Sequence, residues 1–256
     1  MAVHEIVELD IEAEARASEI RALDLSVFGR DDLLNMLLQR SEVLYDVPRY
    51  GKVIKAWSAG DAGPIEAQID RLGPEIARRV AGVIRAEYRA QQAALAKIAP
   101  RRVADIGCGY AMWDLFAHRD LDCDIVLIDI ETSEHRHFGY AEEGAAYTSL
   151  ETARAFLVAN GVPESRVVTV NPARDGLAGA GTVDLAVSFV SCGFHYPVAT
   201  YLDFFRGQVA GDGAVLLDLR LKRADGQVWD LAPLGPIVTL PGHPKARRIL
   251  LRKVAA

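Results

Sequence analysis

The stretch Val103-Ala104-Asp105-Ile106-Gly107-Cys108-Gly109-Tyr110-Ala111 constrains this chain most, because it joins a short apolar strand to a glycine-dependent turn. Val103 and Ile106 are β-branched and follow Pro100 and the basic pair Arg101-Arg102, so a central strand is expected to begin here. Gly107 and Gly109 open backbone conformations closed to other residues and leave room for a ligand to approach the main chain. Beyond them Met112, Trp113, Leu115 and Phe116 recur at helix-like spacing, so the turn leads into a helix whose first N–H groups are free to face that ligand. Strand, glycine turn and helix start together predict a nucleotide-type site.

A dinucleotide fingerprint needs a third glycine where Met112 stands, so a pyrophosphate is poorly provided for. Asp105 points elsewhere. A carboxylate at the edge of the turn repels a pyrophosphate and instead accepts hydrogen bonds from a cationic, amino-acid-like ligand. Asp129 ends the apolar run Cys123-Asp124-Ile125-Val126-Leu127-Ile128 and lies 20 positions after Gly109, about where an acid on a second strand reaches ribose hydroxyls. NAD and S-adenosylmethionine (SAM) sites share that acid, so it marks a nucleoside without choosing between them.

Asp105-Ile106-Gly107-Cys108-Gly109-Tyr110-Ala111 resembles the first motif of class I SAM-dependent methyltransferases, D/E-x-G-x-G-x-G, with Ala111 in place of the third glycine. The resemblance covers residues 101 to 254. It implies SAM as cofactor, with Asp105, Gly107 and Gly109 holding the methionine part and Asp129 the ribose. Cys108 in the turn, Ile130 beside Asp129, and Ser188 at the end of a fourth strand join the expected cofactor set. Asn171 or Asp175, in the polar loop after a third strand, is expected at the adenine.

The fold implied is α/β: a Rossmann-like, doubly wound, mostly parallel seven-stranded sheet with an antiparallel terminal strand, plus an N-terminal helical extension. The residues agree. From Arg101 onward strands and helices alternate, which predicts a largely parallel sheet covered on both faces. Strands are expected at 123–129, 166–170, 183–189 and 214–219, and a closing hairpin over 236–240 and 248–254. Residues 1–98 read as helical, with amphipathic segments at 11–23 and 31–38, loops around Tyr45–Lys52 and Ser58–Pro64, and a long helix from Pro74 to Lys97. Two units are therefore expected, a helical extension or lid over 1–98 and a cofactor-binding domain over 99–256.

Composition narrows the partners. Half of the 256 residues are hydrophobic and 25% charged, with no apolar run of membrane-spanning length, so no membrane association is expected. The acidic N-terminus lacks the pattern of a secretion signal, and Cys108, Cys123 and Cys192 have neither metal-ligand nor disulfide spacing, which predicts a cytoplasmic protein with reduced thiols. A net charge of -6 argues against nucleic acid. A small-molecule substrate is expected, and the N-terminal helices have two readings, a substrate lid or a homodimer contact. In the lid reading Arg49, Tyr50 and Lys52 are candidate anchors for an anionic or sugar-like acceptor.

Methyl transfer from a sulfonium is an in-line displacement, so the protein must align the acceptor and remove its proton. His195, in the loop Val190–Pro197 after strand four, is the candidate general base, and its presence favours an oxygen acceptor. The alternative is that His195 only bonds a backbone carbonyl. Tyr196 is a second candidate base or substrate contact, and Phe194 with Tyr196 is expected to exclude water. No metal site is expected, since His135 and His137 lie two apart with no acidic cluster and no magnesium-type acids follow strand four. Neither the Asn/Asp-Pro-Pro-Tyr/Phe motif of amino methyltransferases nor the Pro-Cys motif of cytosine C5 enzymes is present there, so Cys192 reads as packing. Two further readings stay open: an NAD-linked oxidoreductase, and a non-catalytic SAM-binding partner protein.

Overall fold

The computed structural model describes residue 6 and residues 9–131 and 148–254. The histidines at 135 and 137 lie outside the described residues. The helical segment contains α1 (Ile11–Arg16), α2 (Ser18–Arg21), α3 (Arg30–Gln39), α4 (Gly51–Ser58), α5 (Gly63–Leu72), α6 (Glu75–Arg89) and α7 (Gln92–Ile98). There follow β1 (Arg102–Ile106), α8 (Met112–Leu121), β2 (Asp124–Ile128), α9 (Leu150–Ala159), β3 (Val167–Val170), α10 (Pro172–Asp175) and β4 (Val183–Ser188). The chain continues through α11 (Leu202–Gly207), β5 (Val209–Arg220), α12 (Ala224–Leu231), β6 (Ile237–Leu240) and β7 (Ala246–Arg252).

The expected long helix from 74 to 97 is two helices. Gln91 breaks it: its side-chain amide donates to the Glu87 carbonyl and its side-chain oxygen accepts from Trp113 Nε1, so a buried polar group takes over bonding that would otherwise continue the helix. α4 and α5 fall within the stretch 1–98 expected to be helical, beginning in its expected loops, and α12 arises where no helix was expected.

The seven strands form one sheet in the order β3-β2-β1-β4-β5-β7-β6. β1, β2, β3, β4 and β5 pair in parallel, and β7 runs antiparallel between β5 and β6. Alternation along each strand sends side chains to two cores. Val103, Ile125, Leu127, Leu185 and Val187 face one core, which the N-terminal helices share through Leu37, Val80 and Val83 together with Leu115 and Phe156. Ala104, Ile106, Val126, Ile128 and Ala186 face the other, closed by Phe204, Phe205 and Leu231. The helices before β1 thus cover one face of the sheet. The strand order reverses between β1 and β4, and an open α/β sheet offers its ligand crevice at the carboxyl ends there.

Candidate functional site

At the carboxyl end of β1 the chain turns through Gly107, whose φ of +76° is closed to other residues at little cost. Its N–H donates to the Ile128 carbonyl at 2.7 Å, locking the turn to β2. An added Cβ would stand 2.0 Å from Ser191 Oγ, so the loop after β4 lies directly against this glycine. Gly109 follows at φ +56° and Ala111 at +57°. Ala111 therefore keeps the left-handed backbone suited to the third glycine of the motif, at a steric cost that glycine would avoid. It is also the N-cap of α8 and makes no side-chain cap.

Around this turn lies a cavity of about 570 Å³. One wall is the strand ends: Asp105, Gly107, Cys108, Gly109, Asp129 and Ile130, with Thr148. The loop after β4 adds Phe189, Val190, Ser191, His195 and Tyr196. The helical segment closes the opposite side with Met36, Leu38, Ile54, Val80 and Ile84, and Arg40, Glu42, Glu87 and His243 form a polar end.

Asp105 is 3% exposed and its Oδ1 has no hydrogen-bond partner. Flanked in the sheet by Leu127 and Val187, its carboxyl is pushed well above the usual range by burial and then by Asp114 and Asp129. Asp129 is half-buried and accepts from Thr148 Oγ1 at 3.2 Å and from the Glu131 N–H at 3.1 Å; burial raises it too. The Cys108 thiol is held up by burial and by Asp129, Asp105 and Asp114, which keeps it protonated and unreactive.

His195 lines the cavity, with the Phe194 ring edge-on at 5.3 Å and its own N–H donating to the Ser191 carbonyl. The Tyr196 hydroxyl lies 2.9 Å from Ser191 Oγ. Burial pushes the phenol well above its usual value, so it stays neutral and suits donation better than proton removal.

Three expected cofactor contacts stand outside this wall. Ser188 is fully buried, its hydroxyl donating to the Ile106 carbonyl at 2.6 Å and accepting from the Cys192 N–H at 2.8 Å, so it ties β4 to β1 and to the loop. Asn171 caps α10 through the Ala173 N–H and donates to Glu131 Oε2 and the Ile130 carbonyl. Asp175 accepts from the Asn171 N–H and pairs with Arg174. These side chains are already engaged in holding the loops. Arg49, Tyr50 and Lys52 are likewise absent from the described cavity wall.

Sequence reasoning missed the polar end. Glu87 continues the apolar stripe Ile76, Val80, Val83, Ile84 of α6, and an acid on such a stripe signals a buried partner. That partner is Arg40, which donates to both Glu87 oxygens at 2.8 and 3.1 Å. Behind them Arg248 and Asp218, both fully buried, form a second two-pronged pair at 2.8 Å, with the Arg248 guanidinium 5.0 Å over the Phe189 ring. His243 reaches the cavity from the β6–β7 turn, where no periodicity announces it. Its Nδ1 accepts from the Lys245 N–H, and burial followed by Arg40 lowers it, so the ring is held neutral. Arg40 pairs with both Glu42 and Glu87, and no fixed cation lines the described wall beside Asp105 and Asp129, which suits a ligand that brings its own positive charge.

No family model and no curated protein matches this sequence. Solved structures do match in shape. A provisionally named O-methyltransferase from Nostoc punctiforme is 15% identical over 68% of this chain, with a TM-score of 0.46. The match spans 59% of that protein's length. The O-methyltransferase TomG of Streptomyces achromogenes, involved in tomaymycin synthesis and solved with SAM, is 17% identical over 66% of this chain and 79% of its own, with a TM-score of 0.45. A Thermus thermophilus 16S rRNA methyltransferase, solved with AdoMet and guanosine, is 14% identical over 68% of this chain and 42% of its own, with a TM-score of 0.46. Likenesses this distant assign neither family nor acceptor.

Proposed function

We propose that this chain is a SAM-dependent methyltransferase acting on a small molecule, with a hydroxyl oxygen as the favoured acceptor. The observation that carries the reading is the pair of acids Asp105 and Asp129 at the ends of adjacent strands, bracketing a glycine turn in one cavity. The Asp105 carboxyl at the cavity wall suits an ammonium, and Asp129 beside the exposed Ile130 suits a ribose with its base. A bound sulfonium supplies the methyl group and its own leaving group.

The protein's remaining tasks are alignment, exclusion of water and removal of the acceptor proton. Trp113 and Phe189, with ring centroids 5.1 Å apart, and the apolar helical residues would enclose the acceptor. A cavity of about 570 Å³ closed by helices suits cofactor and small acceptor together better than a polymer. Residues 1–98 act in this reading as the acceptor-side cover. His195, beside the glycine turn, removes the proton, and neutral His243 is the second base available to an acceptor reaching the polar end.

Incubating the full chain with methyl-labelled SAM and a panel of small hydroxylated compounds tests the activity by mass spectrometry. His195→Ala should lower methyl transfer by about 10²–10⁴-fold while leaving cofactor affinity unchanged. Undiminished transfer in His195→Ala with loss in His243→Ala would move the base to the polar end; no transfer by the parent protein to any compound would count against the activity.

A further inference from the structure

Asp114 is a fully buried acid that the proposed reaction leaves idle. It lies in the first turn of α8, is 0% exposed, and neither oxygen has a hydrogen-bond partner. Asp114 is not among the lining residues, whereas Asp105 does line the cavity and its Oδ1 is also without a partner. The two carboxyls are within hydrogen-bonding reach of each other. Two carboxylates so placed repel, whereas a proton on one of them makes a bond between them.

We infer that Asp105 and Asp114 share a proton in the ligand-free protein through one oxygen of each, and that Asp114 is a positioning residue that turns the other Asp105 oxygen toward the ammonium of an amino-acid-bearing ligand. The inference rests on the reading of the cavity as a SAM site. Docking of a cation at Asp105 stabilises its ionised form, so the shared proton leaves to solvent as the ligand binds. No covalent bond changes; one proton is exchanged for one ligand cation.

The groups facing the pair are acidic or neutral. Asp129 approaches from the end of β2, the Cys108 thiol from the glycine turn, the Cys123 thiol from the start of β2, and the backbone N–H of Asp114 from α8 itself. On α6, packed against α8, Glu87 is engaged by Arg40. Burial first raises both carboxyls, Asp114 to about 7 and Asp105 well above the usual carboxylate range, so the ligand-free pair still holds a proton at neutral pH. Binding favours the deprotonated pair. Affinity therefore climbs with pH across the range in which the ligand-free pair keeps its proton, neutral pH included, by up to about tenfold per pH unit for one proton.

Two measurements on the full chain decide. In ligand-free protein, carboxyl-carbon NMR should show Asp105 and Asp114 titrating in separate, coupled steps above the ordinary aspartate range, and Asp114→Asn should collapse them to one. Both residues titrating near about 4 overturns the proposal. Calorimetry with S-adenosylhomocysteine in phosphate and in Tris should then give different enthalpies, reporting proton release. 5′-Methylthioadenosine, which lacks the ammonium, should bind with none, and Asp114→Asn should bind the homocysteine compound with little release and a flattened pH profile. Equal enthalpies in both buffers at pH 6 to 7 overturn the coupling, a result that needs no variant to fold. Absence of any binding heat counts instead against the SAM site, and the NMR titration still judges the shared proton.

Discussion

Substituting Gly107 by alanine separates two costs that the structure places on one residue. The left-handed backbone at φ +76° costs about 1–2 kcal/mol for a residue with a Cβ. The second cost is steric, since the new carbon would lie 2.0 Å from Ser191 Oγ and 2.5 Å from Ser191 Cβ. Rotating the serine relieves only the first contact, and it breaks the 2.9 Å bond to the Tyr196 hydroxyl. The loop from Val190 to Tyr196 must therefore shift, an overpacking cost of about 1–3 kcal/mol. Together the loss is about 2–5 kcal/mol, a fall in Tm on the order of 10 °C for a chain of this size. Adding Ser191→Gly removes the overlap and leaves the backbone cost, so the two substitutions should be coupled by about 1–3 kcal/mol. Urea denaturation of the four proteins, followed by circular dichroism, measures this cycle. Additivity within about 0.5 kcal/mol, or a Gly107→Ala protein as stable as its parent, would refute the packing of loop on turn.

Arg248→Met should destabilise the fold by about 3–5 kcal/mol, because it strands Asp218 without a partner at 0% exposure; Arg248→Met with Asp218→Leu should recover most of that in the same denaturation assay. Asp46 is held well below the usual carboxylate range by hydrogen bonds from Arg71 and Arg79. Its folded value is depressed, so the stability it contributes is present above about pH 4 and is lost as pH falls through that folded value; Asp46→Asn should flatten the stability curve below about pH 4, and parallel curves would contradict this. For Asp114 the sign reverses. Its folded value is raised to about 7, so stability declines as pH rises from about 4 toward 7, and Asp114→Asn should be more stable than the parent at pH 7 in chemical denaturation while binding cofactor less well.

How much of this was legible in the sequence depends on whether a residue's partner lies nearby along the chain. The strand-turn-helix at Val103–Ala111 is local, and its strand, turn and helix start stand where expected. The apolar runs Ile125–Ile128, Val167–Val170 and Val183–Ser188 are likewise parallel strands, because burial on both faces demands near-continuous apolar residues. Ser188, Asn171 and Asp175 bond the backbone of neighbouring loops and strands, and a polar residue at a strand end serves loop closure as readily as a ligand, so no local pattern separates the two roles. Arg40, Glu87 and His243 come together from α3, α6 and the β6–β7 turn, contacts that no local pattern records. Asp218 and Arg248 carried a readable sign, an opposite charge in each of two apolar strands, and the register places them directly opposite.

The central claim is that the acids at the ends of β1 and β2 bind SAM. Calorimetric titration of the full chain with S-adenosylhomocysteine, alongside NADH, tests it most directly. One-site binding of the former, none of the latter, and a loss of about 10- to 100-fold in Asp129→Ala are predicted, the last from removal of a charged hydrogen-bond acceptor worth about 1.5–3 kcal/mol. Binding of NADH instead, or unchanged affinity in Asp129→Ala, would contradict it.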